Sequence, residues 1–288
     1  MNRLGFKQIS VQFYNEFVYG GHLLSLGVVS MVFTSAILLD IKITLDFLLI
    51  IYLTNYIIYL YNRYKEFKND YLTNFKRTLY IKKYIRYTPL IIFVFILVIL
   101  FIFIYFQKFF ALYFWLFLIF FGLLYSYFFK KITTNIIGFK SFYVSAMSAL
   151  LVFFLAFYYF SLINISLILI AIFVFFKCLI STSFYDIKDI KSDRREKLLT
   201  FAIILGREKI KWFLYLVSIL ALLPIIIGVY FKLLPILSLV LFFTIPVSFY
   251  FLNKIKRDVK NVAYLSEIAI GVEKISWTFF ILLGYFLL

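Results

Sequence analysis

The sequence predicts an all-α bundle of membrane-spanning helices, and three observations lead there. Of 288 residues, 65% are hydrophobic and the mean hydropathy is +1.02, well beyond the roughly 45–50% apolar share of soluble domains. The apolar residues fall into nine runs, most of them near the about 20 residues that cross a bilayer core. The connectors alternate between short, nearly bare ones and long, basic ones.

The runs span 17–39, 44–62, 88–106, 109–129, 142–160, 163–184, 212–231, 233–252 and 264–288. Connectors after the first, third, fifth and seventh runs are Asp40–Ile43, Gln107–Lys108, Ser161–Leu162 and Lys232 alone. The other connectors and the N-terminal stretch carry 25 of the 30 Lys and Arg residues; the short connectors hold Lys42, Lys108 and Lys232, and Lys177 and Lys274 lie inside apolar runs. Basic loops stay on the cytoplasmic side. The expected topology therefore puts the N-terminus and every long connector in the cytoplasm and the C-terminus outside. The chain reads as a single nine-helix domain over residues 1–288, with a weak hint of a duplicated four-helix unit and the ninth helix left over.

Several function classes drop out on composition. A formal net charge of +17 would suggest nucleic acid in a soluble protein, but here the charge follows membrane orientation. The single cysteine, Cys178, excludes an intrachain disulfide and any multi-cysteine metal site, and it reads as a small apolar helix residue. The first sixteen residues mix Arg3, Lys7, Gln8 and Glu16 with apolar ones, unlike a cleavable signal peptide. No Gly-rich phosphate loop, zinc-helix motif or nucleophile elbow occurs, so nothing points to ATP hydrolysis or covalent catalysis.

Two acidic clusters stand out against this background, in the long connectors 62–87 and 185–211. Asn62, Glu66 and Asp70 recur at a spacing of four; Asp186, Asp189 and Asp193 are spaced three and four apart. On helices these spacings put each trio on one face. Both trios lie where an apolar run ends and on the same expected side, with 123 residues between Glu66 and Asp189. Clustered carboxylates repel, and a hard divalent cation with oxygen ligands is the natural partner. The two faces read as halves of one site that clamps metal ions against a polyphosphate.

These residues resemble the motifs of the UbiA superfamily of intramembrane prenyltransferases. That family has N-x-x-x-D-x-x-x-D after its second helix and D-x-x-D-x-x-x-D after its sixth. The first is matched by Asn62, Glu66 and Asp70, with Glu for the central Asp, and the second by Asp186, Asp189 and Asp193. A basic, Thr-containing stretch then runs through Thr200 to Leu205–Gly206, also as in the family, whose usual Asp after the motif's Asn is here Arg63. The resemblance spans nearly the whole chain. It implies Mg²⁺ ions on the six motif residues, with Asp70, Asp189 and Asp193 essential to catalysis. It further implies a polyprenyl diphosphate donor and a lipophilic acceptor within the bilayer.

Five carboxylates and a diphosphate carry about eight negative charges, of which two divalent cations return four, so basic residues must meet the rest. In the loop after the fourth run, Tyr125, Lys130 and Lys140 match the family's Tyr and Lys positions. Arg77 resembles a recurrent family Arg, and Arg194 adjoins a motif Asp. Lys177, nine residues before Asp186, sits where a central charge costs roughly 2.5–3.5 kcal/mol but where snorkelling reaches the interface. It joins the expected diphosphate-binding set. Lys274 has Glu267 and Glu273 as candidate partners. His22, beside Gly20 and Gly21, reads as a polar residue bonded across a helix interface in preference to an acceptor base. Two rival readings remain: a terpene cyclase on the same scaffold, and a non-catalytic membrane transporter, which the intramembrane Lys177 and the Glu66 substitution favour.

Overall fold

A computed structural model describes the backbone of residues 3–254 and 259–287, and side chains within those except 3–10, 68, 69, 72, 73, 259–264 and 267. The described residues contain helices and no strand. The helices are α1 (Arg3–Tyr19), α2 (His22–Leu38), α3 (Leu45–Thr73), α4 (Phe75–Ile81), α5 (Thr88–Tyr105), α6 (Phe109–Leu124), α7 (Lys130–Ile132), α8 (Phe139–Tyr159), α9 (Ile165–Arg195), α10 (Phe201–Leu220), α11 (Leu223–Tyr230), α12 (Thr244–Asn253) and α13 (Val259–Leu287). Eight stretches are long and apolar enough to span a membrane, or nine if the bent pair Val11–Tyr19 and His22–Leu38 counts as one span. Many apolar helices and large outward-facing apolar side chains make this an integral membrane protein.

Several expected boundaries shift for local reasons. The first run is broken by 56° between α1 and α2, where Gly21 takes φ 95° with its Cα against the Tyr59 ring. The charged connectors expected as loops are largely helical. α3 continues to Thr73 and α9 to Arg195, since Arg, Lys and Glu are good helix formers and neither stretch contains Gly or Pro. α9 stops where Lys197 enters the left-handed region and the Leu198 N–H turns back to the Asp193 carbonyl at 2.9 Å. The seventh run begins earlier than expected, at Phe201, and is kinked at Gly206 and interrupted before Pro224. Half of the eighth, Ile236–Phe243, is 3-10 helix behind Pro235.

α9 is the most enclosed span, buried along most of its length, and packs against α8, α10, α11 and α13. α2 lies on α13 through small residues: a Cβ at Gly27 would come 3.1 Å from the Gly271 backbone. There the Thr34 and Thr278 hydroxyls bond at 2.9 Å. Without a hydrophobic drive between helices in lipid, such close backbone approach and interhelical bonding hold the pair together.

Candidate active site

The extended ends of α3 and α9 carry the two acidic trios to one end of the bundle. There Glu66 and Asp70 from α3, and Asp189, Asp193 and Glu196 from the α9 end, line one polar cavity together with Ser192, Lys130 and Lys140. The expectation that two distant helix ends share a site is met at this point. Asp189 Oδ1 and Asp193 Oδ2 are buried and accept no hydrogen bond among the described residues. Lys130 Nζ bridges Glu66 Oε1 at 2.9 Å and Glu196 Oε2 at 3.0 Å. Lys140 Nζ lies 2.7 Å from Asp186 Oδ1 and 3.6 Å from Asp193 Oδ2.

The other trio members stand behind this front. Asp186 is fully buried, held by Lys140 and by the Ser141 hydroxyl at 3.0 Å, and does not line the cavity. Asn62 Oδ1 accepts from Ser126 at 2.5 Å. Asp70 is gripped by Arg63 at 2.6 Å and Arg77 at 3.2 Å. Burial alone would raise the Asp70 carboxyl, but the two guanidiniums outweigh it and hold it well below the usual carboxylate range. Arg77, 3% exposed, therefore acts on Asp70 from behind.

Local structure explains how the basic residues arrive. A π-helical turn, Tyr125–Phe129, follows α6, and its widened turn sets Ser126 opposite Asn62 and Lys130 opposite Glu66, one helical turn apart on both strands of the contact. Lys140 is fixed by a crossing of two loops: the Leu199 N–H donates to the Thr133 carbonyl at 2.8 Å, and the Gly138 N–H to the Leu199 carbonyl at 2.7 Å. Gly138, at φ 68°, has the Phe201 ring where a Cβ would be.

Two sequence expectations need correction. Lys177 does not reach the acidic cavity: its Nζ lies 2.5 Å from Glu273 Oε1 and 2.9 Å from Ser248 Oγ, between α9, α12 and α13. At about 100° per residue, nine residues put Lys177 on the helix face opposite Asp186. Arg194 points outward, exposed and away from the cavity lining. Lys274 is buried; of its two expected partners, Glu273 is taken by Lys177, and the Glu267 side chain lies outside the described residues. His22 does bridge helices, to Glu16 at 3.1 Å and to the Tyr52 hydroxyl.

Residues that the sequence reading missed complete the cluster. Asn74 Nδ2 donates to Asp70 Oδ1 at 3.4 Å, and Lys188 Nζ to Asn74 Oδ1 at 2.9 Å. Asn74 continues the spacing of four after Asn62, Glu66 and Asp70, so its signal was present. Lys188 and Glu196 had none, because what they meet comes from other parts of the chain.

Beside the acidic cavity, with Asn62 and Tyr125 among its lining, lies an apolar cavity of about 140 Å³ between α2, α3, α6 and α8. The Tyr125 hydroxyl is buried there without a hydrogen-bond partner among the described residues, and its ring stacks on Tyr143 with centroids 5.5 Å apart. The arrangement thus joins a charged compartment able to hold a polyphosphate to an apolar one.

Two acidic helix ends meeting beside an apolar cavity, in a bundle of membrane helices, define the class of fold. The comparisons give the family: the UbiA prenyltransferase family matches residues 23–270, and the chain belongs to it. Two solved structures share the fold. The apo structure of a UbiA homolog from Aeropyrum pernix K1 is 14% identical, with a TM-score of 0.68 over 91% of this chain and 97% of that one. A structure of digeranylgeranylglyceryl phosphate synthase is 12% identical, with a TM-score of 0.59 over 95% and 98%. No curated protein matches the chain.

Proposed function

We propose that the protein transfers a prenyl group from a polyprenyl diphosphate to a lipophilic acceptor within the membrane, in a Mg²⁺-dependent reaction. The observation behind this reading is the single cavity shared by Glu66, Asp70, Asp189 and Asp193, with buried oxygens of Asp189 and Asp193 that accept no hydrogen bond among the described residues. Among the described residues no three acids lie close enough to enclose an ion by themselves. That suits Mg²⁺, which binds through one or two carboxylates plus substrate phosphates more than through all-protein cages. Glu66, Asp70, Asp189 and Asp193 would hold the metal, which supplies Lewis-acid stabilisation of the departing diphosphate.

The chain's own residues do the rest. Lys130 and Lys140 balance the charge of the diphosphate, and the Tyr125 hydroxyl, at the junction of the two cavities, donates to it. Arg63, Arg77 and Asn74 orient Asp70. The carbon–oxygen bond of the donor breaks with its electron pair leaving on the diphosphate. The positive charge left on the allylic carbon faces the Tyr125 and Tyr143 rings. The acceptor forms the new bond and loses a proton, and enclosure by the bundle keeps water from intercepting the cation. By the distribution of Lys and Arg, this end of the bundle faces the cytoplasm and the C-terminus lies outside.

The transporter reading loses support, since the intramembrane lysine that favoured it is neutralised by Glu273. In purified protein, Mg²⁺-dependent diphosphate release should vanish in Asp189→Ala while thermal stability holds. Full activity in that variant would refute the assignment. A cyclised hydrocarbon formed without acceptor would move the reaction to cyclisation.

A further inference from the structure

Away from the acidic residues, the apolar cavity ends against a block of buried aromatic rings. Three of the helices that line it contribute a last lining residue away from the acidic end: Ile51 on α3, Leu118 on α6 and Leu151 on α8. One turn further along each helix stands a large aromatic residue, Phe47, Trp115 and Phe154, none more than 1% exposed. They pack into one block. Phe47 and Phe154 centroids are 5.4 Å apart, and Phe103, fully buried, lies 5.7 Å from Trp115 and 6.4 Å from Phe154. Trp115 is pinned by its indole N–H, which donates to the Thr54 hydroxyl at 2.7 Å. This floor cannot be opened by a rotamer change of one side chain, because each ring is wedged by the next.

From Asn62 at the acidic end of the lining to Ile51 at the bottom are eleven residues of α3, about 16 Å at 1.5 Å per residue. An extended chain advances about 1.2 Å per backbone bond, so an isoprene unit of four such bonds takes about 5 Å. Resting on the prenyl-transfer reading above, we propose that this protein selects a short allylic diphosphate whose tail has about three isoprene units, at most four, and that the Phe47–Trp115–Phe154 floor sets the limit. Selection works by exclusion. A tail leaving lipid for an apolar cavity gains little transfer free energy, since both surroundings are apolar, so a longer tail adds no affinity to offset its misfit.

The test measures dissociation constants for non-reactive thiolodiphosphate analogues in detergent with Mg²⁺. Geranyl, farnesyl, geranylgeranyl and octaprenyl tails are compared, with inorganic diphosphate as the tail-free control. Geranyl and farnesyl should bind alike and octaprenyl about tenfold or more weakly, a gap of about 1.4 kcal/mol. Trp115→Ala should restore octaprenyl binding, whereas Trp115→Phe should not. Leu151→Trp, which fills the bottom without touching the floor, should weaken farnesyl but spare geranyl. Octaprenyl binding as tight as farnesyl in the unaltered protein would overturn the length limit while leaving prenyl transfer standing. So would a limit that neither Trp115→Ala nor Leu151→Trp moves. Failure of every analogue and of inorganic diphosphate to bind in a Mg²⁺-dependent way would overturn prenyl transfer itself.

Discussion

Replacing Lys177 by Met removes a charge from the middle of the bundle while keeping most of the side-chain volume. Lys177 is 1% exposed and Glu273 5%, with Nζ and Oε1 2.5 Å apart. Ser248 accepts from Lys177 at 2.9 Å and donates to Glu273 at 2.8 Å, and the lysine also sits 5.8 Å from the Trp277 ring centre. In Lys177→Met, Glu273 keeps only the Ser248 hydroxyl among the described residues. Breaking a buried pair by deleting one partner costs about 3–5 kcal/mol. For a chain of this size that is a fall of roughly 6–20 °C in melting temperature, read in detergent by loss of the monodisperse peak. The double variant Lys177→Met, Glu273→Leu leaves no orphan and should recover to within about 1 kcal/mol of the original, a non-additivity that measures the pairing. Its Mg²⁺-dependent diphosphate binding should be unchanged. Equal stability of Lys177→Met and the original protein, or a double variant as unstable as the two singles combined, would sink the reasoning. Lost diphosphate binding in a well-folded double variant would show that Lys177 serves the acidic site after all.

Gly138→Ala forces a Cβ into the Phe201 ring at 2.3 Å and into a left-handed backbone at φ 68°, which alone costs roughly 1–2 kcal/mol. Since the loop it anchors sets Lys140, donor affinity should fall several-fold more than stability would suggest, and a Gly138→Ala enzyme with unaltered donor affinity contradicts that positioning. Asp70 yields a pH prediction. Its folded carboxyl is held below its ordinary value by Arg63 and Arg77 against the opposing effect of burial. Its contribution to stability is therefore complete above about pH 4 and lost only as pH falls below that, toward the depressed folded value. Arg77→Met removes one of the two cations and brings the folded carboxyl nearer its ordinary value, so the fall in melting temperature on acidification below about pH 4 should be smaller and should end at a higher pH. Identical melting-versus-pH profiles for Arg77→Met and the original protein would show that Arg77 does not govern Asp70.

What the sequence disclosed and what it withheld divide along a physical line. Membrane crossing is a property of single segments, written in runs of apolar residues and in the placement of 30 basic ones, so the spans were legible to within local breaks at Gly21, Gly206 and Pro224. The acidic faces were legible for the same reason, because a spacing of three or four is a helix face whatever surrounds it. The phase that placed Asp186, Asp189 and Asp193 together also excluded Lys177: counted at about 100° per residue it lies well over a quarter turn from each of them. The error lay in weighing its depth and not its direction. Partners supplied by other helices left no such trace. Lys188 lies between two motif aspartates yet serves Asn74 at the end of α3, and Glu273, read as a candidate partner of Lys274, is taken by Lys177 on another helix. The cavity floor was the least legible feature. With 40 phenylalanines in the chain, nothing in the sequence separates Phe47 and Phe154, which close the bottom of the bundle, from Phe101 and Phe120, which face outward at 66% and 57% exposure. In lipid an aromatic ring is equally at home on either side of a helix. Which rings seal the cavity is decided by the angles at which α3, α6 and α8 meet, and the limit on the donor's tail follows from that geometry alone.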